Sequence, residues 1–181
     1  MCDRSARPWW VRSRDRRPFQ PGGQGKAGAI TLAAAVVTVA ALDVVLKACA
    51  GRALIGGSST DLGLLHLRLA FNPGVAFSLG DTLPPAAVLV VTGVIVAGLA
   101  VFAASLTRTA ALPVVLALAA MLGGAVANVI DRAGDGLVTD YLHTGWFPTF
   151  NLADVIVVTG AAALVVASWR TSGTADSEAI G

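Results

Sequence analysis

Two aspartates, Asp140 and Asp154, have the side chains that peptide hydrolysis by paired carboxyl groups requires. One ionised carboxyl can deprotonate a water molecule, while a second, protonated carboxyl polarises the scissile carbonyl. Two carboxyls at close range share one proton because both cannot ionise easily. We expect Asp140 at the end of a surface loop and Asp154 in the first turn of the next helix. A meeting of these two segments would form an aspartyl dyad.

The stretch Gly123–Asp154 follows a long apolar run, leads into another, and holds four of the eleven acidic residues of the chain. Carboxylates packed this tightly between apolar spans are expected at a membrane surface, where ionisable groups are costly and usually functional. A structural interpretation stays open beside the catalytic one. Asn151 lies three residues before Asp154, so Asn151 could cap the helix while Asp154 only favours the helix dipole.

The composition is typical of an integral membrane protein of one domain, because 55% of the residues are hydrophobic and 13% are charged. Seven of the thirteen basic residues precede Thr31. Such a block could bind nucleic acid, but beside an apolar segment the positive-inside rule explains it better. We therefore expect no nucleic-acid partner. Cys2 and Cys49 form neither a disulfide framework nor a metal-ligand pattern.

The predicted fold is an all-α integral membrane protein with four transmembrane helices and a small extracytoplasmic β element. Four apolar runs are long enough to span a bilayer: Gly28–Ala50, Pro85–Ala104, Ala110–Ile130 and Leu152–Trp169. We expect a disordered basic tail over 1–27, a membrane domain over 28–170 and a second tail over 171–181. The basic tail, Arg108 and Arg170 fall on one side of such a bundle, which predicts that both termini are cytoplasmic and the chemistry is on the outer face.

The segment 51–84 between the first two runs is more polar. Leu65, Leu67 and Leu69 alternate with polar residues, which predicts a half-buried strand. Phe71–Gly74 is a turn signal, and Val75–Ser78 could form the second strand of a hairpin. Asn72 could either form this turn or contact a substrate.

Charged pairs accompany two of the apolar runs. Asp43 and Lys47 are one helical turn apart and can pair, either as a purely structural pair or to orient the active site. Asp131 and Arg132 could form an interfacial ion pair. The pair Gly123–Gly124 would permit close helix packing.

Several motifs resemble, in order, those of lipoprotein signal peptidase (signal peptidase II), over residues from about 40 to 165. One short motif would be weak, but five in sequence, each in the right membrane context, are specific. They are the pair Asp43 and Lys47, Asn72–Ser78, Asn128–Arg132, Gly136–Tyr141 and Phe150–Asp154.

This resemblance implies an aspartyl endopeptidase of the bacterial inner membrane. Its substrate would be a prolipoprotein that carries diacylglycerol on a cysteine, cut just before that cysteine, and no metal or organic cofactor is needed. The resemblance implies that Asp140 and Asp154 are the catalytic dyad. It also implies substrate-binding or supporting positions around them: Asn72, Gly74, Asn128, Asp131, Arg132, Asn151, Asp43 and Lys47. We expect a monomer surrounded by membrane lipid.

The chain departs mildly from the family pattern. Ala127 stands where a glycine often precedes the asparagine, Tyr141 replaces a usual phenylalanine, and the loop from Tyr141 to Ala153 is short. Trp146 and Phe147 in this loop could contact lipid or substrate, although aromatic residues are common at any membrane interface.

Two other functions compete with the peptidase. A small proton- or ion-coupled transporter would need acidic residues in the middle of its spans, whereas only Asp43 is near a helix interior. A non-catalytic membrane scaffold would tolerate changes at both aspartates. Sensitivity to globomycin, an inhibitor of the resembled family, separates the peptidase from both.

Overall fold

The computed structural model of the protein describes residues 21–74 and 83–178. Its helices are α1 (Pro21–Ala53), α2 (Pro85–Leu106), α3 (Leu112–Asp135) and α4 (Leu152–Glu178), and its strands are β1 (Ser59–Asp61), β2 (His66–Asn72) and β3 (Val138–His143). Helix α1 begins before the predicted Gly28, and α4 continues beyond the predicted Trp169. Residues 1–20 of the predicted tail and the predicted strand Val75–Ser78 lie outside the described residues.

Within the described part of the chain, three helical segments are long and apolar enough to cross a membrane. They are Lys26–Ala53, Pro85–Leu106 and Leu112–Asp135, with 28, 22 and 24 residues. The apolar first part of α4, Leu152–Ala167, is shorter than these three. The described fold is therefore mostly helical, with three long apolar helices and one small sheet, as expected for a membrane protein.

Helix α3 is the centre of the bundle and packs against α1, α2 and α4. Two of its glycines bring neighbouring helices close, as predicted. A Cβ atom on Gly123 would lie 2.7 Å from Cβ of Val39 in α1, and one on Gly124 would lie 2.8 Å from the carbonyl oxygen of Ala153 in α4. Small residues are common where membrane helices pack this closely.

The three strands form one antiparallel sheet in the order β1-β2-β3. The predicted turn at Phe71–Gly74 is therefore partly wrong, because Phe71 and Asn72 still belong to β2 and pair with β3. Asp140 lies within β3, opposite Ala70, and not at the end of a loop. Strand pairing holds Asp140 more rigidly than a loop would.

Candidate active site

A hydrogen bond of Thr139 and the helix end at Gly136 fix the start of β3 and therefore the position of Asp140. The backbone N–H of Thr139 donates to the Asp131 carboxylate at 2.7 Å, which joins β3 to the end of α3. Gly136 ends α3 with a φ of 85°, and its N–H donates to the carbonyl of Arg132 at 2.8 Å. This left-handed turn, which favours glycine, directs the chain from α3 into β3. The Asp140 side chain is only 2% exposed.

Asp154 lies in the first turn of α4, as predicted, and Asn151 lies just before that helix. The backbone N–H of Asp154 donates to Asn151 Oδ1 at 3.0 Å, and the backbone N–H of Asn151 donates to Asp154 Oδ2 at 3.1 Å. This reciprocal pair is a capping box, which satisfies two backbone donors at the helix start. The structural interpretation of Asn151 and Asp154 therefore holds, but it describes only part of their contacts.

Asn151 also links the two aspartates. Its fully buried side-chain amide donates to Asp140 Oδ1 at 2.7 Å, while its main chain binds Asp154. The same amide donates to Asn128 Oδ1 at 3.2 Å, and Asn128 Nδ2 donates to Asp154 Oδ1 at 2.9 Å. Two asparagines thus bring carboxyl groups from β3 and α4 into one hydrogen-bonded cluster.

The environment of Asp140 favours its neutral form. Burial, with a further contribution from the negative charge of Asp154, raises the pKa of Asp140 to about 6. The hydrogen bonds from Asn151 and Asn72 and the positive charge of Lys47 lower the same pKa and only partly offset burial. A carboxyl of this kind can gain or lose a proton near neutral pH, which suits acid–base chemistry.

Lys47 supports the cluster from α1. Its Nζ atom lies 3.0 Å from Asp43 Oδ2 and 3.3 Å from Asp131 Oδ2, and it donates to Asn128 Oδ1. Asp43 Oδ1 in turn accepts a hydrogen bond from the backbone N–H of Ala153 at 2.8 Å. The predicted pair of Asp43 and Lys47 exists, and it also reaches the residues that contact Asp154. Asp131 pairs with Lys47, whereas Arg132, for which an ion pair with Asp131 was expected, donates to the carbonyl of Gly74.

Asn72, Gly74 and Arg132 lie on the other side of Asp140. Asn72 Nδ2 lies 3.4 Å from Asp140 Oδ2, and Asn72 Oδ1 accepts the backbone N–H of Gly74 at 3.0 Å. Asn72, the last residue of β2, therefore stabilises the start of the turn that follows it and also faces the carboxyl. The buried guanidinium of Arg132 donates to the carbonyl of Gly74, which fixes the end of β2 against α3.

Both aspartates line a cavity of about 760 Å³. Asn72, Gly74, Asn128 and Arg132 also line it, and apolar or hydroxyl residues of α2, α3 and α4 form the rest of its wall. Sequence patterns do not identify the wall residues of α2 and α4, namely Thr92, Ile95, Val96, Val155, Val157, Val158 and Thr159. A helix that is hydrophobic all round does not reveal which of its faces borders a cavity.

The turn after β3 closes one side of this cavity. Trp146 and Phe147, for which the sequence left lipid and substrate contact open, line the cavity together with Pro148 and Thr149. Among residues 21–74 and 83–178, no group of three or more His, Cys, Asp or Glu side chains could hold a metal ion. The arrangement has two carboxyls from different segments, amide donors on both, and an adjoining apolar space. It can activate a water molecule beside an amphipathic ligand.

Most of the chain is similar to known proteins. The family model described as signal peptidase (SPase) II matches residues 35–170. The chain is 35% identical over 147 residues to the lipoprotein signal peptidase of Mycobacterium leprae (strain Br4923), covering 77% of this chain and 70% of that protein. It is 36% identical over 146 residues to the lipoprotein signal peptidase of Mycobacterium avium (strain 104), covering 76% of this chain and 78% of that protein.

A solved structure described as "Bacterial membrane enzyme structure by the in meso method at 2.3 A resolution" has a similar fold. It matches with a TM-score of 0.68 at 22% sequence identity, and the match covers 80% of this chain and 90% of that one. A second, described in the same words at 1.9 A resolution, matches with a TM-score of 0.63 at 25% identity, covering 76% of this chain and 91% of that one. The fold is therefore similar to that of solved membrane enzymes.

Proposed function

This chain belongs to the signal peptidase II family, and we propose that it is the membrane aspartyl endopeptidase that removes the signal peptide from diacylglyceryl-modified prolipoproteins. The cut falls just before the lipid-carrying cysteine. The transporter alternative has no support, because the relatives in these comparisons are peptidases. The observation that carries the proposal is the bond network of Asn151, which joins Asp140 to Asp154 at the edge of the cavity.

In the proposed reaction Asp140 and Asp154 share one proton. The ionised carboxyl takes a proton from a water molecule, and the resulting hydroxide attacks the scissile carbonyl carbon, whose oxygen accepts a hydrogen bond from the protonated carboxyl. When the tetrahedral intermediate collapses, the C–N bond breaks and a dyad carboxyl protonates the departing amine. The amide groups of Asn128 and Asn151 hold both carboxyls in position throughout. Water and the two carboxyl groups supply all the atoms that this step needs.

The supporting residues have distinct roles in this proposal. Lys47 keeps a positive charge beside the cluster, which favours one negative charge on the dyad. Asp43 fixes the first turn of α4 through Ala153. Asn72, Gly74 and Arg132 form the side of the cavity next to Asp140, where the peptide around the scissile bond would lie.

The proposed membrane arrangement has four spans, of which Leu152–Ala167 is the fourth. This apolar part of α4 is short, but residues at the ends of such a segment can extend their polar groups to the interface. The seven basic residues before Thr31, together with Arg108 and Arg170, favour a cytoplasmic location for both termini. The dyad and the sheet then face the outside of the bacterial inner membrane.

The cavity suggests how the substrate enters. Its apolar wall includes residues of α2 and α4, and a lipid-carrying peptide could move in sideways from the bilayer. Each CH₂ group buried from water contributes about 0.8 kcal/mol, so the diacylglyceryl group would supply much of the binding free energy. We propose a monomer that binds prolipoproteins and membrane lipid and does not bind nucleic acid.

A gel-shift assay tests the proposal. Purified protein in detergent is mixed with a diacylglyceryl-modified prolipoprotein, and wild type is compared with Asp154→Asn. Release of the signal peptide by the wild type alone, without added metal, supports the proposal. An intact substrate in the presence of folded wild type overturns it.

A further inference from the structure

The turn formed by residues 144–149, called here the cap turn, borders the active-site cavity and is bonded to β2 through the side chain of Thr149. Its members Thr144, Trp146, Phe147, Pro148 and Thr149 line the cavity that contains Asp140 and Asp154. The cap turn therefore forms part of the cavity wall.

The base of the cap turn is closed by backbone hydrogen bonds. The N–H of Phe150 donates to the carbonyl of Leu142 at 2.9 Å, and the N–H of Leu142 donates to the carbonyl of Phe150 at 2.8 Å. Above this base the aromatic rings pack on one another, with centroid distances of 5.5 Å from Trp146 to Phe147 and 5.9 Å from Phe147 to Phe150. These contacts lie within the turn and its base, and Trp146 is 84% exposed.

Arg68 connects the cap turn to β2. Its Nε and Nη2 atoms both donate to Oγ1 of Thr149, at 3.0 and 2.9 Å, across 81 residues of sequence. Two donors on one hydroxyl restrict both the direction and the distance of Thr149, and hydrogen bonds from a charged group are stronger than neutral ones.

A β-bulge accounts for the direction of Arg68. Leu67 pairs with Leu142 and Ala70 with Asp140, so Arg68 and Leu69 together face one residue of β3. Such a bulge bends its strand and redirects a side chain, and bulges are common next to active sites. The bulge thus contains the arginine that contacts the cap turn and directly adjoins the pair of Ala70 with Asp140.

We propose that Arg68 is a positioning residue that latches the cap turn against the cavity and so determines how tightly the peptide beside the dyad is held. This inference rests on the proposed function, because it assigns the turn a role in holding that substrate. Arg68 does not contact the dyad, whose position depends on Asn151 and Asn128. Release of the latch should therefore weaken substrate binding and leave the chemical step nearly unchanged.

The test combines kinetics with hydrogen exchange on the full-length protein in detergent. Arg68→Ala, Thr149→Val and the double variant are compared with wild type. Arg52→Ala removes another exposed arginine, at the end of α1, and is the matched control. Each single variant should raise KM about threefold to tenfold with kcat within about twofold of wild type, because both hydrogen bonds from Arg68 to Thr149 are lost. The double variant should be no worse than either single variant.

Hydrogen exchange measures the latch without reference to activity. Backbone amides of the cap turn should exchange at least about threefold faster in Arg68→Ala than in wild type or Arg52→Ala, because fewer contacts oppose local opening. If the amides of the cap turn exchange at the same rate in Arg68→Ala and in wild type, the proposed role of Arg68 is wrong. It is also wrong if the KM of the double variant rises by the product of the two single effects, because the two residues would then act independently. If wild type cleaves no prolipoprotein, the proposed function fails, and the exchange experiment alone decides whether Arg68 holds the turn.

Discussion

Asp43 Oδ1 accepts a hydrogen bond from the backbone N–H of Ala153 at 2.8 Å, although the two residues are 110 positions apart. This bond joins the first long helix to the first turn of the last one, next to Asp154. The other carboxylate oxygen of Asp43 lies 3.0 Å from Lys47 Nζ. One buried carboxylate therefore completes an intrahelical ion pair and also fixes the helix that carries a proposed catalytic residue.

Replacing either proposed catalytic aspartate should abolish cleavage. We expect Asp140→Asn and Asp154→Asn each to reduce the rate at least about 10²-fold, because one acid–base group is lost. The measurement is the gel-shift assay with lipid-modified prolipoprotein. Asp135→Asn is the matched control, because Asp135 is the last residue of α3, where its carboxylate accepts the N–H of Leu137. Normal processing by either dyad variant contradicts the assignment.

Removing the buried cation should destabilise the protein. Lys47 is 4% exposed and contacts two carboxylates, so Lys47→Met leaves them without compensation and should reduce the free energy of unfolding by about 3–5 kcal/mol. Chemical unfolding in detergent measures this change. Lys26→Met, at an exposed position of the same helix, should have little effect. If the two variants have the same free energy of unfolding, the ion pairs of Lys47 with Asp43 and Asp131 do not stabilise the fold.

The raised pKa of Asp140 predicts a stability that depends on pH. The pKa is about 6 in the folded protein, against an ordinary value of 3.8, so the buried carboxyl destabilises the fold increasingly as pH rises from about 4 to about 6. Asp140→Asn removes this penalty and should stabilise the protein at pH 7 by something on the order of 3 kcal/mol. The gain should be small near pH 4 and should disappear below about pH 3, where the carboxyl is neutral in both the folded and the unfolded state.

Unfolding of wild type and Asp140→Asn at several pH values measures the difference. A stability difference that stays constant from pH 4 to pH 7 contradicts the assignment of the raised pKa to Asp140. Together with lost cleavage, the expected result would mean that the protein gives up stability for function at this position.

A methyl group at Gly124 should separate α3 from α4. Its Cβ would lie 2.8 Å from the carbonyl oxygen of Ala153 and 3.0 Å from Cγ2 of Val157, so Gly124→Ala should destabilise the protein by about 1–3 kcal/mol and lower its activity. Gly98→Ala is the control, because a Cβ on Gly98 has no neighbour within 4 Å. It should be neutral or slightly stabilising. Thermal unfolding and the cleavage assay distinguish the two, and equal behaviour would contradict the close packing.

Features that depend on local sequence were predicted well. Asp154 does lie in the first turn of a helix, Asp43 and Lys47 do pair, and the Gly123–Gly124 pair does permit close packing. Each of these depends on residues a few positions apart or on one contact surface. Strand β3 was missed, because its partner β2 is distant in the chain and pairing between distant strands leaves little local signal.

The sequence by itself determined the class of protein and the region where chemistry could occur. Composition and apolar run length are sums over neighbouring residues, so they predict membrane helices without any tertiary contact. The tertiary structure alone decided that Asn151 contacts Asp140, that Asp131 pairs with Lys47, and that Arg68 reaches Thr149. These contacts depend on strand register and on the rotation of helices about their axes. Helices that are apolar on every face do not encode that rotation in their sequence.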